Sequence, residues 1–174
     1  MIISGMKRLH LIYIIGLSVL LAGLHAGKVN AQGNDVSIDV SANVISSVEL
    51  LTLRSMQLSG DEAINEVIQI DPTTSANAGK MVAYGTPNSD IRISYLTSRE
   101  LTRMQGTETL MFNYRVAGNQ QEDQGSAELL DIENREFRFN QDGKFFLWIG
   151  GNVDISTATP GNYQGEFTLE IEYI

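Results

Sequence analysis

The chain of 174 residues has no cysteine, two histidines and three prolines. Both histidines, His10 and His25, lie near the start of the chain. The absence of cysteine excludes disulfides, a thiol nucleophile and a lipid-modified N-terminal cysteine. The chain also has no histidine beyond His25. That part of the chain therefore cannot activate a serine with histidine or build a His/Cys zinc site. We therefore predict no enzymatic activity and no cofactor, and we expect stability to come from a folded core alone.

The N-terminal stretch has the layout of a secretory signal peptide. Lys7 and Arg8 precede a mostly apolar run over residues 9–24, and small or modest residues, Val29 and Ala31, occupy the −3 and −1 positions before Gln32. A membrane-spanning helix needs about 20 apolar residues, which is longer than this run. The pattern therefore favours a cleaved signal peptide over a membrane anchor.

The cleavage point defines the predicted domain organisation. Residues 1–31 are the signal peptide, and residues 32–174 form one domain large enough for a core. We expect the protein to be exported to the periplasm, the cell surface or the extracellular space, with no membrane insertion after cleavage.

The charge balance narrows the possible partners. The net charge of the full chain is −9. Cleavage of the signal peptide would remove three basic residues, Lys7, Arg8 and Lys28, and leave a more acidic domain. A surface this acidic repels phosphate backbones and anionic lipid heads. No nucleic-acid partner is expected.

The clearest secondary-structure pattern lies in the closing stretch, residues 161–174. From Phe167 onward apolar and polar residues alternate, which places Phe167, Leu169, Ile171 and Tyr173 on one face of a strand. Residues 35–44 show the other comparably clean alternation, with these apolar residues on one face: Val36, Ile38, Val40, Ala42 and Val44. This early strand is the leading candidate to lie beside the closing strand, within one chain or between chains.

The intervening chain reads as many short strands separated by turn signals. Residues 96–106 are compatible with a helical turn or a loop, residues 117–126 predict a solvated loop, and Gly150-Gly151 predicts the end of a strand or a close backbone approach. No confident helix follows the signal peptide. We predict an all-β, immunoglobulin-like sandwich of about seven to nine mainly antiparallel strands.

Two groups of side chains are candidates for a ligand site. The carboxylates alternate with apolar residues, which indicates solvated strand faces rather than the converging acid pair of a glycosidase. Phe146 and Trp148 lie on the strand face opposite Phe145, Leu147 and Ile149. They form either a partly exposed contact patch for sugar or protein, or a pair covered by a loop.

The closing pattern resembles that of a family of exported bacterial proteins, domain of unknown function 4402. In that family an Ile-Gly-Gly segment, here Ile149-Gly150-Gly151, is followed by a strand of the form G-x-Y-x-G-x-apolar. The matching positions in this chain are Gly161, Asn162, Tyr163, Gly165, Phe167, Leu169, Ile171 and Tyr173.

The chain is also similar to chaperone–usher fimbrial pilins. These end in an alternating strand with a penultimate tyrosine, here Tyr173, and a glycine fourteenth from the end, here Gly161. Pilins of the colonisation-factor class also lack cysteine and start with an alternating segment. The resemblance implies an incomplete sandwich whose gap is filled by a neighbour's N-terminal strand. It implies partners that are copies of the chain itself or a periplasmic chaperone.

Two functional hypotheses follow. The first is an exported structural or adhesin-like subunit that acts through strand-edge contacts, for which the assembly residues are Val36, Ile38, Val40, Val44, Gly161, Phe167, Leu169, Ile171 and Tyr173. The alternative is a self-complete binding module, possibly for carbohydrate, that uses Phe146 and Trp148. A hydrolase with two carboxylates is the least favoured.

Overall fold

A computed structural model describes residues 35–40, 48–130 and 136–174, and in the first range only the side chain of Ile38. The predicted signal peptide and Val44 lie outside the described residues. The described residues belong to one unit, Gln32–Ile174.

Strands account for almost all of the regular structure of the described chain. A single 3-10 turn, Gly60–Glu62, is begun by Ser59, whose hydroxyl accepts a hydrogen bond from the Asp61 amide. The strands in chain order are β1 (Asp35–Val40), β2 (Glu49–Arg54), β3 (Met56–Ser59), β4 (Val67–Ile70), β5 (Gly79–Tyr84), β6 (Asp90–Tyr95), β7 (Ser98–Arg103), β8 (Thr109–Asn119), β9 (Glu128–Leu129), β10 (Glu136–Arg138), β11 (Lys144–Asp154), β12 (Tyr163–Phe167) and β13 (Leu169–Tyr173).

The prediction of an all-β sandwich is confirmed, but the number of strands is larger than seven to nine. Two stretches are each divided, at Ser55 between β2 and β3 and at Thr168 between β12 and β13. Strands β2 and β3 have different neighbours in the larger sheet, and β12 and β13 lie in different sheets. At Thr168 the alternation of apolar and polar residues continues through the division, so the sequence pattern gives no sign that the strand is divided there.

The strands form two sheets in a sandwich-like arrangement. The larger sheet has the order β2-β5-β11-β8-β7-β12-β1-β3, with β4 paired to β11 and β9 paired to β8. The smaller sheet has the order β10-β6-β13. Among these described pairs, β1 with β12 is parallel and the others are antiparallel.

Aromatic side chains fill the space between the sheets. Phe137 of the smaller sheet lies 5.5 Å from Phe145 of the larger one, and Tyr95 lies 5.9 Å from Phe167, both between ring centroids. From the sequence we predict a core of inward-facing apolar residues on the strands, and those with described side chains are buried or half-buried. The buried ones are Ile38, Ile68, Ile70, Ile91, Phe112, Tyr114, Phe139, Phe145, Leu147, Phe167, Leu169 and Ile171, and the half-buried ones are Ile93, Phe137 and Tyr173.

Strand β11 runs through Gly150-Gly151 without a break, so the predicted strand end is wrong. The predicted close backbone approach is confirmed instead. A Cβ at Gly150 would lie 2.3 Å from the Ile70 carbonyl oxygen, and one at Gly151 (φ +146°) would lie 2.1 Å from that of Asn113. Gly150 lets β4 approach β11 beyond Ile149, where the pairing with β5 ends, and Gly151 allows close contact with β8 on the other side.

Part of residues 96–106, expected to be a helical turn or a loop, forms β7. Leu101 is the fully buried residue of this strand, and its neighbours are exposed or half-buried. A single buried residue gives no apolar period, which explains why the pattern was ambiguous.

Candidate strand-assembly site

Strand β1 occupies a slot inside the larger sheet. It pairs in parallel with β12 from Val36 with Tyr163 to Val40 with Phe167, and antiparallel with β3 from Asp35 with Ser59 to Ile38 with Met56. The early alternating segment therefore lies beside the closing strand within one chain. Without β1, the facing edges of β12 and β3 would both lack their partner in this sheet.

Ile38 is the centre of this slot. It stands opposite Gly165 on β12 and Met56 on β3. Directly opposed residues share a face of the sheet. Ile38 and Met56 are both 0% exposed, so this face is the buried one. The slot therefore holds β1 by backbone pairing on both sides and by at least one fully buried side chain.

Gly165 makes room for a side chain from the next strand. A Cβ at this position would lie 2.4 Å from Cδ2 of Leu101 on β7, and Leu101 is 0% exposed. Because Leu101 is fully enclosed, it has little space into which to withdraw. Gly165 thus lets Leu101 and Ile38 share the buried face around β12.

The other side of β12 is paired much less. Strand β7 pairs with β12 at Tyr163 and Gln164, and the two strands then diverge. A cleft of about 300 Å³ opens where they part, lined by residues that include Glu100, Thr102 and Gly165. Beyond Gln164, β1 is therefore the strand that pairs with β12.

Polar contacts stabilise the chain at Thr168, where the closing stretch divides into β12 and β13. The Arg99 guanidinium donates to the Glu166 carbonyl (3.2 Å) and to the Thr168 hydroxyl (3.1 Å). The Tyr114 hydroxyl donates to the same Glu166 carbonyl at 3.5 Å. Burial raises the pKa of Tyr114 to about 12, so this hydroxyl stays a donor even at alkaline pH where an exposed tyrosine ionises. These contacts satisfy backbone groups where the chain leaves one sheet for the other.

Strand β13 is held by the smaller sheet. Leu169 and Ile171 are 0% and 3% exposed and stand opposite Tyr95 and Ile93 of β6. The Tyr173 hydroxyl accepts a hydrogen bond from the Thr86 amide at 2.8 Å, and its ring lies 6.1 Å from that of Phe139. The predicted residues Leu169, Ile171 and Tyr173 thus contact the smaller sheet and do not face β1.

Gly161 lies just before β12 and is covered by an arginine. Arg103 donates to the Pro160 carbonyl at 2.7 Å, and a Cβ at Gly161 (φ +154°) would lie 2.5 Å from Arg103 Nε. The glycine thus lets the guanidinium lie against the turn that leads into β12.

The outward face of the smaller sheet carries opposite charges in register. Arg92 stands opposite both Glu136 and Glu172, and it contacts Glu172 at 3.0 Å. Arg138 donates two hydrogen bonds to Asp90, at 2.6 and 3.0 Å. The Arg138 guanidinium lowers the pKa of the Asp90 carboxyl. On the closing strand, Arg92 thus neutralises Glu172.

Phe146 and Trp148 do not form an exposed patch. They are 8% and 2% exposed, and they pack with Val82 in a second apolar cluster on the outer face of the larger sheet. The solvated loop predicted at residues 117–126 is partly wrong, because Ala117 and Gly118 are buried in β8. The loop begins at residue 120, and it provides part of the cover through Ala127. Of the two interpretations left open for these rings, the covered pair is the one observed.

Other residues of the slot were missed as assembly candidates. Met56 and Leu58 form the second wall, and their alternation around Gln57 was a usable signal. Arg99 and Leu101 lie on a strand whose sequence has little period, so nothing in the sequence pointed to them.

Among the described residues, no group of three or more His, Cys, Asp or Glu side chains is arranged to hold a metal ion. The same part of the chain contains no helix that is both long and apolar enough to cross a bilayer.

The fold and the slot define a class: an all-β sandwich in which an early strand is inserted, in parallel, beside the closing strand. No family model matches the chain, and no curated protein matches it either. The resemblance to domain of unknown function 4402 and to the pilins stays a prediction.

Proposed function

We propose that this protein is an exported, non-enzymatic structural or adhesin-like subunit that joins to other proteins by exchanging β1. The observation that supports the proposal is the position of β1 between β12 and β3. A strand from another copy would present the same backbone groups and the same isoleucine to the slot. Strand exchange of this kind converts an intramolecular pairing into an intermolecular one without new contacts.

The surroundings of the slot favour such an exchange. In the described chain, β1 is joined to the slot by the backbone pairing with β12 and β3 and by the burial of Ile38. The partners we propose are copies of the chain itself or a periplasmic chaperone that offers a strand.

The test is electrophoresis of the purified protein in SDS with and without heating. Exchanged strands are expected to give a ladder of SDS-resistant oligomers that collapses to monomer on heating. Ile38→Ala should remove most of the ladder, because it empties the centre of the slot. Leu51→Ala is the matched control, since Leu51 lies on edge strand β2 and is 46% exposed.

A wild-type protein that runs only as monomer, and is monomeric by light scattering at high concentration, contradicts the proposal. So does a ladder that persists unchanged in a folded Ile38→Ala protein. Circular dichroism of each variant shows whether it is folded.

A further inference from the structure

The second apolar cluster lies on the outer face of the larger sheet, away from the β1 slot. Register pairs Phe146 with Val82 and Trp148 with Lys80, which places all four side chains on one face of β5 and β11. Phe146 and Trp148 lie 6.4 Å apart between ring centroids. Tyr84 and Ala127 pack against the cluster from its margins.

The loop of residues 120–127, which joins β8 to β9, contributes to the cover of this cluster and is mostly polar. Of that loop, Ala127 is the apolar residue packed against the cluster. Gln121, Glu122 and Asp123 are exposed. A polar loop buries less apolar area against a large aromatic surface than an apolar partner would. The closed state is therefore stabilised less by the hydrophobic effect.

The loop is internally bonded. The Asn119 amide donates to the Asp123 carbonyl (3.1 Å) and to the Ser126 hydroxyl (2.9 Å). The Asp123 carboxylate accepts from the Gly125 amide (3.1 Å) and from the Ser126 hydroxyl (2.7 Å). The bonds of Asp123 lie within the loop, and those of Asn119 join the loop to the end of β8, so the loop can keep its shape while it turns about that end.

Two contacts fasten the far end of the loop. Lys80, whose ammonium lies 5.9 Å from the centroid of the Trp148 ring, forms an ion pair with Glu122. The Gln124 side-chain amide donates to the Pro72 and Ser75 carbonyls, at 3.0 and 2.8 Å. The Glu122 side chain is 59% exposed, and an ion pair this exposed contributes little net stability. The hydrogen bonds of Gln124 are therefore the main fastening.

A different pair of contacts lies at the near end. The Gln120 amide donates to the Arg138 carbonyl at 3.0 Å, and the Asn140 amide donates to the Gln120 carbonyl at 2.8 Å. The loop thus has a bonded base at Gln120 and a separately fastened far end at Glu122 and Gln124.

We propose that residues 120–127 act as a strap that opens locally and uncovers Phe146 and Trp148 while the sandwich stays folded. Opening breaks the contacts of Glu122 and Gln124 and keeps the bonds within the loop. The surface uncovered is aromatic and apolar, bordered by Lys80 and Lys144, whose ammonium lies 5.8 Å from the centroid of the Tyr84 ring. Local openings of this kind occur at free energies below that of global unfolding.

The chain contains a single tryptophan, so tryptophan fluorescence reports on the surroundings of Trp148 alone. Acrylamide quenching of the purified protein is measured for wild type, Gln124→Ala and Glu122→Gln/Gln124→Ala. In the double variant, which loses both fastenings, we expect the population of the open state to rise about tenfold or more. The quenching that arises from the open state should rise by the same factor. Binding of 1-anilinonaphthalene-8-sulfonate should rise in parallel. Gln121→Ala is the matched control, because Gln121 is exposed on the same loop.

Urea unfolding followed by circular dichroism separates local from global opening. The proposal predicts increased quenching at an unfolding midpoint close to that of wild type. Equal quenching in all variants would overturn it, because the loop would then be a fixed part of the core. Quenching that rises only in step with a lower unfolding midpoint would also overturn it, because Trp148 would then be exposed only by global unfolding.

Discussion

The two halves of the closing stretch carry one alternating pattern, yet the structure holds them in different ways. Strand β12 pairs with β1 along its whole length, and with β7 only at Tyr163 and Gln164. Strand β13 pairs along its whole length with β6, and Tyr173 anchors its end to Thr86. The first half therefore depends on β1, a strand from the far end of the described chain, and the second half depends on β6. Two neighbouring segments of one stretch can thus be held by different partners.

Phe167 joins the two halves, and its loss should have the largest effect. It is 1% exposed, and its ring lies 5.9 Å from Tyr95 and 4.9 Å from Tyr114. We expect Phe167→Ala to lower the free energy of unfolding by about 3–5 kcal/mol. Urea denaturation measures this, with the exposed Leu51→Ala as the control that should change little. A loss below about 1 kcal/mol would show that the rings do not join the sheets as described.

Ile38→Ala separates the halves directly. We expect it to lower the free energy of unfolding by about 2–5 kcal/mol, because Ile38 is 0% exposed. Hydrogen exchange should then show faster exchange in β12 and β3, with β13 still protected. Ile171→Ala, at a 3% exposed position on β13, is the counterpart and should weaken β13 and β6 instead. Equal loss of protection in both halves after Ile38→Ala would remove the distinction between them.

Tyr173→Phe tests the anchor of the second half. It removes the hydroxyl that accepts from the Thr86 amide at 2.8 Å and keeps the ring beside Phe139. We expect a loss of about 1 kcal/mol in the free energy of unfolding. Tyr163→Phe, whose hydroxyl donates to the Thr159 carbonyl at 2.9 Å, is the matched change in the first half. No measurable change in Tyr173→Phe would mean that the β6 pairing alone holds β13.

Glu172→Gln should have the smallest effect. The ion pair with Arg92 spans 3.0 Å, but the two side chains are 42% and 56% exposed. We expect a change of about 0.5 kcal/mol or less, which disappears in high salt. A larger loss that disappears in high salt would show that charge, and not apolar pairing, fixes β13 to β6.

The sequence predicted the fold class and the neighbouring positions of the two alternating segments, because period-two patterns decide strand faces. It could not predict the division at Thr168, since Phe167 and Leu169 continue one pattern while they enter different sheets. Nor could it predict the cover over Trp148, which depends on where Lys80 and Gln124 lie in the folded chain. Long-range contacts of polar loop residues leave no periodic signal.

The claim that β1 is exchangeable between copies has one direct test. Ser37 stands opposite Gln164 in the parallel pair, and neighbouring strands lie about 4.8 Å apart, within reach of a disulfide. The chain has no native cysteine, so introduced cysteines report without interference. Ser37→Cys and Gln164→Cys, each in a separate chain, are coexpressed and oxidised. Ser37→Cys coexpressed with Glu170→Cys is the control, since Glu170 lies on β13.

Exchange predicts disulfide-linked dimers for the first mixture and none for the control. A disulfide that forms only when both cysteines are in the same chain would contradict exchange, and would show that β1 stays in its own sheet.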